Sequence, residues 1–112
     1  MTRHLLLLLP LVLGCASLRI STPALHGTAT AAIAADCGTT LAMPWSAGYV
    51  ETNPLLGATP TNAEIAGWCL VGLGVTHGGA VLLPERWRRG WLTWITVMEL
   101  TFVLHNLSLM SR

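Results

Sequence analysis

Lysine is absent from this 112-residue chain, so all six basic side chains are arginine. Aspartate and glutamate number only five, and charged residues make up 10% of the sequence, against about a quarter in ordinary soluble domains. A soluble helical domain needs a polar face on each helix, and this composition cannot supply one. The formal charge of +1 leaves no electrostatic footprint for nucleic acid. Cysteine is scarce as well. Three cysteines make no disulfide framework, so Cys37 and Cys69 are read as small hydrophobes within apolar segments. Neither a His-Glu-x-x-His run nor paired-cysteine spacing occurs, which argues against a metal site. Ser46, Ser108 and Ser111 stand in no catalytic setting. No cofactor and no catalytic residue are expected. What remains is a chain rich in apolar residues, with five tryptophans and a positive mean hydropathy: a membrane protein.

The N-terminus reads as a targeting signal. Arg3 and His4 precede the apolar run Leu5–Leu13, which is too short for a span of about 20 residues but suits a secretory signal. The end of that run, Val12-Leu13-Gly14-Cys15, resembles the lipobox of bacterial lipoproteins. That likeness implies cleavage and lipidation at Cys15. An uncleaved signal anchor and ordinary signal-peptidase cleavage are the alternatives. Residues 1–15 are therefore set apart from a single membrane domain, 16–112.

Three apolar segments follow, at about 24–43, 62–83 and 91–110, each long enough to cross a hydrocarbon core of about 30 Å. Backbone polar groups in lipid must be paired within the chain, so the expected fold is all-α, with three transmembrane helices. Thr61 and Glu64 form a capping box before the second segment, and Pro84 stops it. Trp87, Trp91 and Trp94 flank Arg86, Arg88 and Arg89, an interfacial belt beside a charged turn joining an antiparallel hairpin. Gly27, Ala31, Ala35 and Thr39, together with Gly74 and Gly78, offer small-residue stripes for close helix packing. The bacterial inner membrane is the expected location. Orientation stays open, because the arginine turn argues for a cytoplasmic position and the export signal for the reverse.

Ionisable groups inside a membrane are costly and turn toward one another. Asp36 and Thr40 on the first helix, His77 on the second, and Glu99 with Asn106 on the third are expected to meet, with a Glu99–His77 or Asp36–His77 hydrogen bond. Asn53-Pro54 reads as the start of a short helix stopped by Gly57. The loop would then fold over the end of the first helix, with Trp45 and Tyr49 at the interface, bringing Glu51 and Asn53 to Asp36 and Thr40.

Asp36, Thr39 and Thr40, followed by Gly48, Glu51, Asn53, Pro54 and Leu55, have the form D-x-x-T-T … G-x-x-E-x-N-P-L. This resembles the signature of a family of small bacterial and phage multi-pass membrane proteins of unassigned function, and it covers about a fifth of the chain. The resemblance implies several membrane helices behind an export signal, and no activity. The leading expectation is a non-enzymatic membrane protein, structural or partner-binding, whose polar cluster fixes helix packing. Its partners would be membrane lipids and a second copy or another membrane protein. A holin-like lysis protein is one alternative. A proton- or ion-handling subunit or intramembrane enzyme is another, and it requires a water-reachable cavity around Asp36, His77 and Glu99.

Overall fold

A computed structural model describes residues 20–112 apart from positions 52 and 54. The leader and Cys15 lie outside the described residues. Among those described, the chain is all-helical. α1 spans Thr22–Ala42, α2 Asn62–Leu82 and α3 Glu85–Met110, with a single 3-10 turn at Trp45–Ala47 in the long loop.

Local chemistry explains each boundary. Ser21 accepts a hydrogen bond from the Ala24 amide at 3.3 Å, and a proline sits in the first turn of α1, where its missing N–H costs nothing. The capping box of α2 forms as expected: Thr61 Oγ1 accepts from the Glu64 amide at 3.2 Å, and Glu64 Oε2 from the Thr61 amide at 2.7 Å. The third helix begins at Glu85 rather than near 91, so the arginine run is helical and not a turn. The Pro84 carbonyl accepts from the Trp87 and Arg88 amides at 2.9 and 2.8 Å. That closes the first turn immediately after the proline, leaving only Leu83 and Pro84 between α2 and α3. The hairpin is tighter than expected.

α2 and α3 are each long and apolar enough to cross a membrane. Only 17% and 11% of their most apolar stretches are buried, and Leu70, Val81, Leu82 and Leu104 are largely exposed. The core helix of a soluble protein would hide such residues.

Leu25 and Ala29 of α1, Ala80 of α2 and Leu92 of α3 form a compact core with Trp91 against it. Trp91 donates its indole N–H to the Thr76 carbonyl at 2.8 Å. Its ring lies 3.3 Å from where a Cβ on Gly79 would sit, so a side chain there meets the indole at once. The small-residue stripes do not form this interface. Gly27, Ala31 and Ala35 are exposed, and Gly74 and Gly78 have nothing within 4 Å of a Cβ position. The inward face of α1 is instead Leu25, Ala29, Ala32, Ile33 and Thr40. The bulk of Leu25 and Ile33 explains the choice, since burying them removes more apolar area than burying alanine or glycine.

The relative directions of the helices follow from recurring offsets. Thr22 meets Arg89 and Asp36 meets Asn106 at separations of 67 and 70, so α1 and α3 run parallel. α2 runs against both. The molecule therefore has an arginine end, where α1 and α3 begin, and a loop end, where they finish.

Candidate functional site

The polar cluster forms at the loop end. Asn106 reaches from α3 with its amide nitrogen 3.1 Å from Asp36 Oδ1, 3.0 Å from Thr39 Oγ1 and 3.1 Å from Thr40 Oγ1. An amide has two hydrogens, so one is shared between two of these acceptors. Thr39 can accept because its own hydroxyl donates to the Asp36 carbonyl at 3.0 Å. Glu99, a helical turn and more before Asn106, lines the same space as Asp36. Glu51, on the loop, faces the same space.

All of these groups but Thr39 border a cavity of about 530 Å³ between the three helices and the loop. Asp36, Thr40, Glu51, Glu99, His105 and Asn106 are among its polar lining. Trp68, Val75, Met98 and Phe102 are among its apolar walls. Among the described residues that line it, none is arginine. The volume falls within the range of small-molecule sites, about 300–1,000 Å³, and so does the combination of apolar walls with a few convergent polar groups.

The loop is held by its own hydrogen bonds. Glu51 donates its amide to the Ala58 carbonyl at 2.9 Å, and its carboxylate accepts from the Asn53 amide at 2.9 Å. The Asn53 side chain accepts from the Leu55 amide at 3.0 Å, and its carbonyl from the Leu56 amide at 3.1 Å. This is one turn, not the short helix expected from Asn53-Pro54. The turn closes within four residues, and Gly57, at φ 77°, takes the chain out of it, so no helix can propagate. Tyr49 donates to the Leu109 carbonyl at 3.1 Å, fastening the loop to the end of α3. Trp45 is half-buried, with its indole N–H lacking a partner among the described residues.

His77 is elsewhere. It bonds neither Glu99 nor Asp36, but lies toward the arginine end with its Nδ1 2.7 Å from His26 Nδ1 and its Nε2 2.8 Å from Thr30 Oγ1. The two imidazoles stack with centroids 5.0 Å apart. Antiparallel register is the reason. α1 and α2 pass at matching levels when their residue numbers sum to a nearly constant value, and 77 pairs with 26 on that rule. The same rule pairs 37 with 69. Cys37 and Cys69 are joined by a disulfide, with Cα atoms 6.2 Å apart, and are not the isolated small hydrophobes of the sequence reading. Both line the cavity.

Six of the seven proposed cluster residues thus converge: Asp36, Thr40, Glu51, Asn53, Glu99 and Asn106 all border one cavity. Sequence reasoning missed the disulfide, Trp68 and His105 there, and missed His26 and Thr30 as the partners of His77. The register of the antiparallel pair was the signal that could have found the disulfide and His26. Among the described residues, no group of three or more His, Cys, Asp or Glu side chains is arranged to hold a metal ion. No protein-family model, curated protein or solved structure matches the chain.

Proposed function

We propose that this chain is a three-span protein of the bacterial inner membrane, non-enzymatic, whose interior cavity binds a small and partly apolar molecule. The cavity of about 530 Å³ carries the reading. Its acceptors cluster on one side, from Asp36, Glu51, Glu99 and Thr40, while Trp68, Met98 and Phe102 form greasy walls. A ligand with an apolar body and a hydrogen-bond-donating or cationic group complements that lining. Four of the eight signature residues, Asp36, Thr40, Glu51 and Asn53, face the same space. This supports membership of the small membrane-protein family they resemble, with the signature serving as the wall of a site. Asn106 has a second role in this reading: its three contacts fix the register of α1 against α3.

The test is access. In a Cys15→Ser background, Met98→Cys places a thiol on the cavity wall, and Leu104→Cys places one on an outer face that is 68% exposed. In membranes, a small water-soluble methanethiosulfonate should modify the first and spare the second. Modification of 104 with protection of 98 would mean a dry interior and a wet outer face, and the proposal would fall.

A proton-handling role is the second reading, favoured by the two helix-borne carboxyls, Asp36 and Glu99, that line one cavity. A carboxyl on a cavity wall can release or take a proton as the cavity fills. Proton release on addition of a ligand, measured in weakly buffered detergent solution, distinguishes this reading from simple binding.

A further inference from the structure

We infer that the cavity opens to the oxidising, extracytoplasmic side of the membrane and takes its ligand from there. The inference rests on the cavity reading above and adds a direction to it. Two observations at opposite ends of the molecule carry it.

The first is the disulfide. Cys37 lies five residues before the end of α1, and Cys69 seven residues after the start of α2. At 1.5 Å per residue the bridge sits about 8–10 Å inside the loop end and about 20 Å or more from the arginine end. To form it, the two thiols give up two electrons and two protons to an oxidised thiol–disulfide partner, which leaves as a dithiol. Such oxidants act in the exported compartment, whereas the cytosol keeps thiols reduced. The loop end must therefore have faced that compartment. The cavity touches both cysteines and the loop residues Glu51 and Asn53, so it shares their side.

The second is charge. Arg86, Arg88 and Arg89 cluster at the arginine end, where α3 begins. Among the described residues, the loop end carries only Arg112. Arginine bias of this kind marks the cytoplasmic side. The redox argument and the charge argument use different residues and different physics, and they agree.

The experiment uses the full chain in intact bacterial cells, with a membrane-impermeant maleimide, in the Cys15→Ser background. Ser46→Cys and Met98→Cys should be labelled from outside, at least tenfold faster than Trp87→Cys, which should react only after lysis. The reverse pattern at 46 and 87 overturns the inference. Reaction of Met98→Cys only after lysis overturns it while leaving the cavity reading intact. No reaction of Met98→Cys in either state removes the cavity reading itself. In the unmodified chain, gel-shift alkylation should find Cys37 and Cys69 oxidised, and reduced in cells lacking their exported thiol oxidase. Reduced thiols in both strains would likewise overturn the orientation.

Discussion

The arginine end and the loop end use their polar groups in opposite ways. At the arginine end the donors close the backbone. Arg88 donates through Nε to the Ala80 carbonyl at 2.7 Å and through one terminal nitrogen to the Leu83 carbonyl at 3.1 Å, while the other pairs with Glu85 at 3.1 Å. Arg89 reaches across to Thr22 Oγ1 at 3.2 Å and to the Ile20 carbonyl. The carbonyls where α2 stops, Ala80's already accepting the Leu83 amide at 3.3 Å, thus receive a cation, which also suits the negative end of the helix dipole. Beneath lies the packed core of Leu25, Ala29, Ala80 and Leu92. At the loop end, by contrast, the carboxyls of Asp36, Glu51 and Glu99 line an open volume, Asp36 and Glu51 accepting from amides, with no guanidinium among the described residues that border it. Charge that is neutralised by backbone makes structure. Charge left facing a cavity is available for a ligand.

The ties between α1 and α2 differ in the same sense, and the covalent one should matter most. Near the loop end the tie is the disulfide; toward the arginine end it is the histidine pair and Thr30. Replacing both cysteines, Cys37→Ser with Cys69→Ser, should lower stability by about 2–4 kcal/mol, the usual range for a native bridge, read from thermal unfolding in detergent. The carboxyl-lined surroundings offer no cation to stabilise a thiolate, so exchange should be slow in the folded protein. A double variant that melts with the wild type would show the loop end to be held without the bridge.

The arginine end can be broken separately. Arg88→Ala removes two bonds to carbonyls and one to Glu85, and should cost about 2 kcal/mol on the scale of hydrogen bonds to charged groups. Arg88→Lys should recover less than half, because one ammonium cannot reproduce the planar fork. Labelling of Met98→Cys should not change in either variant if the two ends are independent. Faster labelling in Arg88→Ala would join the two ends into one cooperative unit and blur the contrast.

On the loop side, Asn106→Ala leaves Asp36, Thr39 and Thr40 without their shared donor. A loss of about 1–2 kcal/mol is expected, with faster thiol labelling in the cavity as α1 and α3 separate. Unchanged melting would mean that the register of α1 against α3 is set without Asn106.

What was legible in the sequence was whatever is encoded locally or by helical period. The Thr61–Glu64 capping box is a four-residue pattern and formed as read. Asp36, Thr40, Glu99 and Asn106 could be brought together because each lies toward the same end of its own helix. Three matters escaped. The start of α3 at Glu85 was hidden because a run of tryptophan and arginine looks like an interfacial turn, yet arginine is a good helix former and Pro84 is well placed to open one. The partner of His77 and the disulfide both depend on the register between two helices joined by a long loop, which no local pattern records. The inward face of α1 went to Leu25 and Ile33 rather than to the small-residue stripe, because bulk decides burial where three helices compete for one core.

The smallest expected effect tests the histidine pair, and it follows from counting hydrogens. The Thr30 hydroxyl donates to the His26 carbonyl at 2.9 Å, so its oxygen must accept from His77 Nε2–H across the 2.8 Å contact. His77 then carries its hydrogen on Nε2, and its Nδ1 can only accept, so the 2.7 Å contact is donated by His26 Nδ1–H. One threonine hydroxyl thereby assigns the tautomers of two rings on two helices. Thr30→Val removes the acceptor for His77 Nε2–H at an exposed position, and should cost less than about 1 kcal/mol. Nitrogen NMR of histidine-labelled protein should show single, opposite tautomers for His26 and His77 in the wild type and a mixture at His77 in the variant. A His77 that keeps its Nε2 hydrogen without Thr30 would mean that the ring order is imposed by packing. The non-covalent tie would then resemble the disulfide more closely than the hydrogen-bond chain implies.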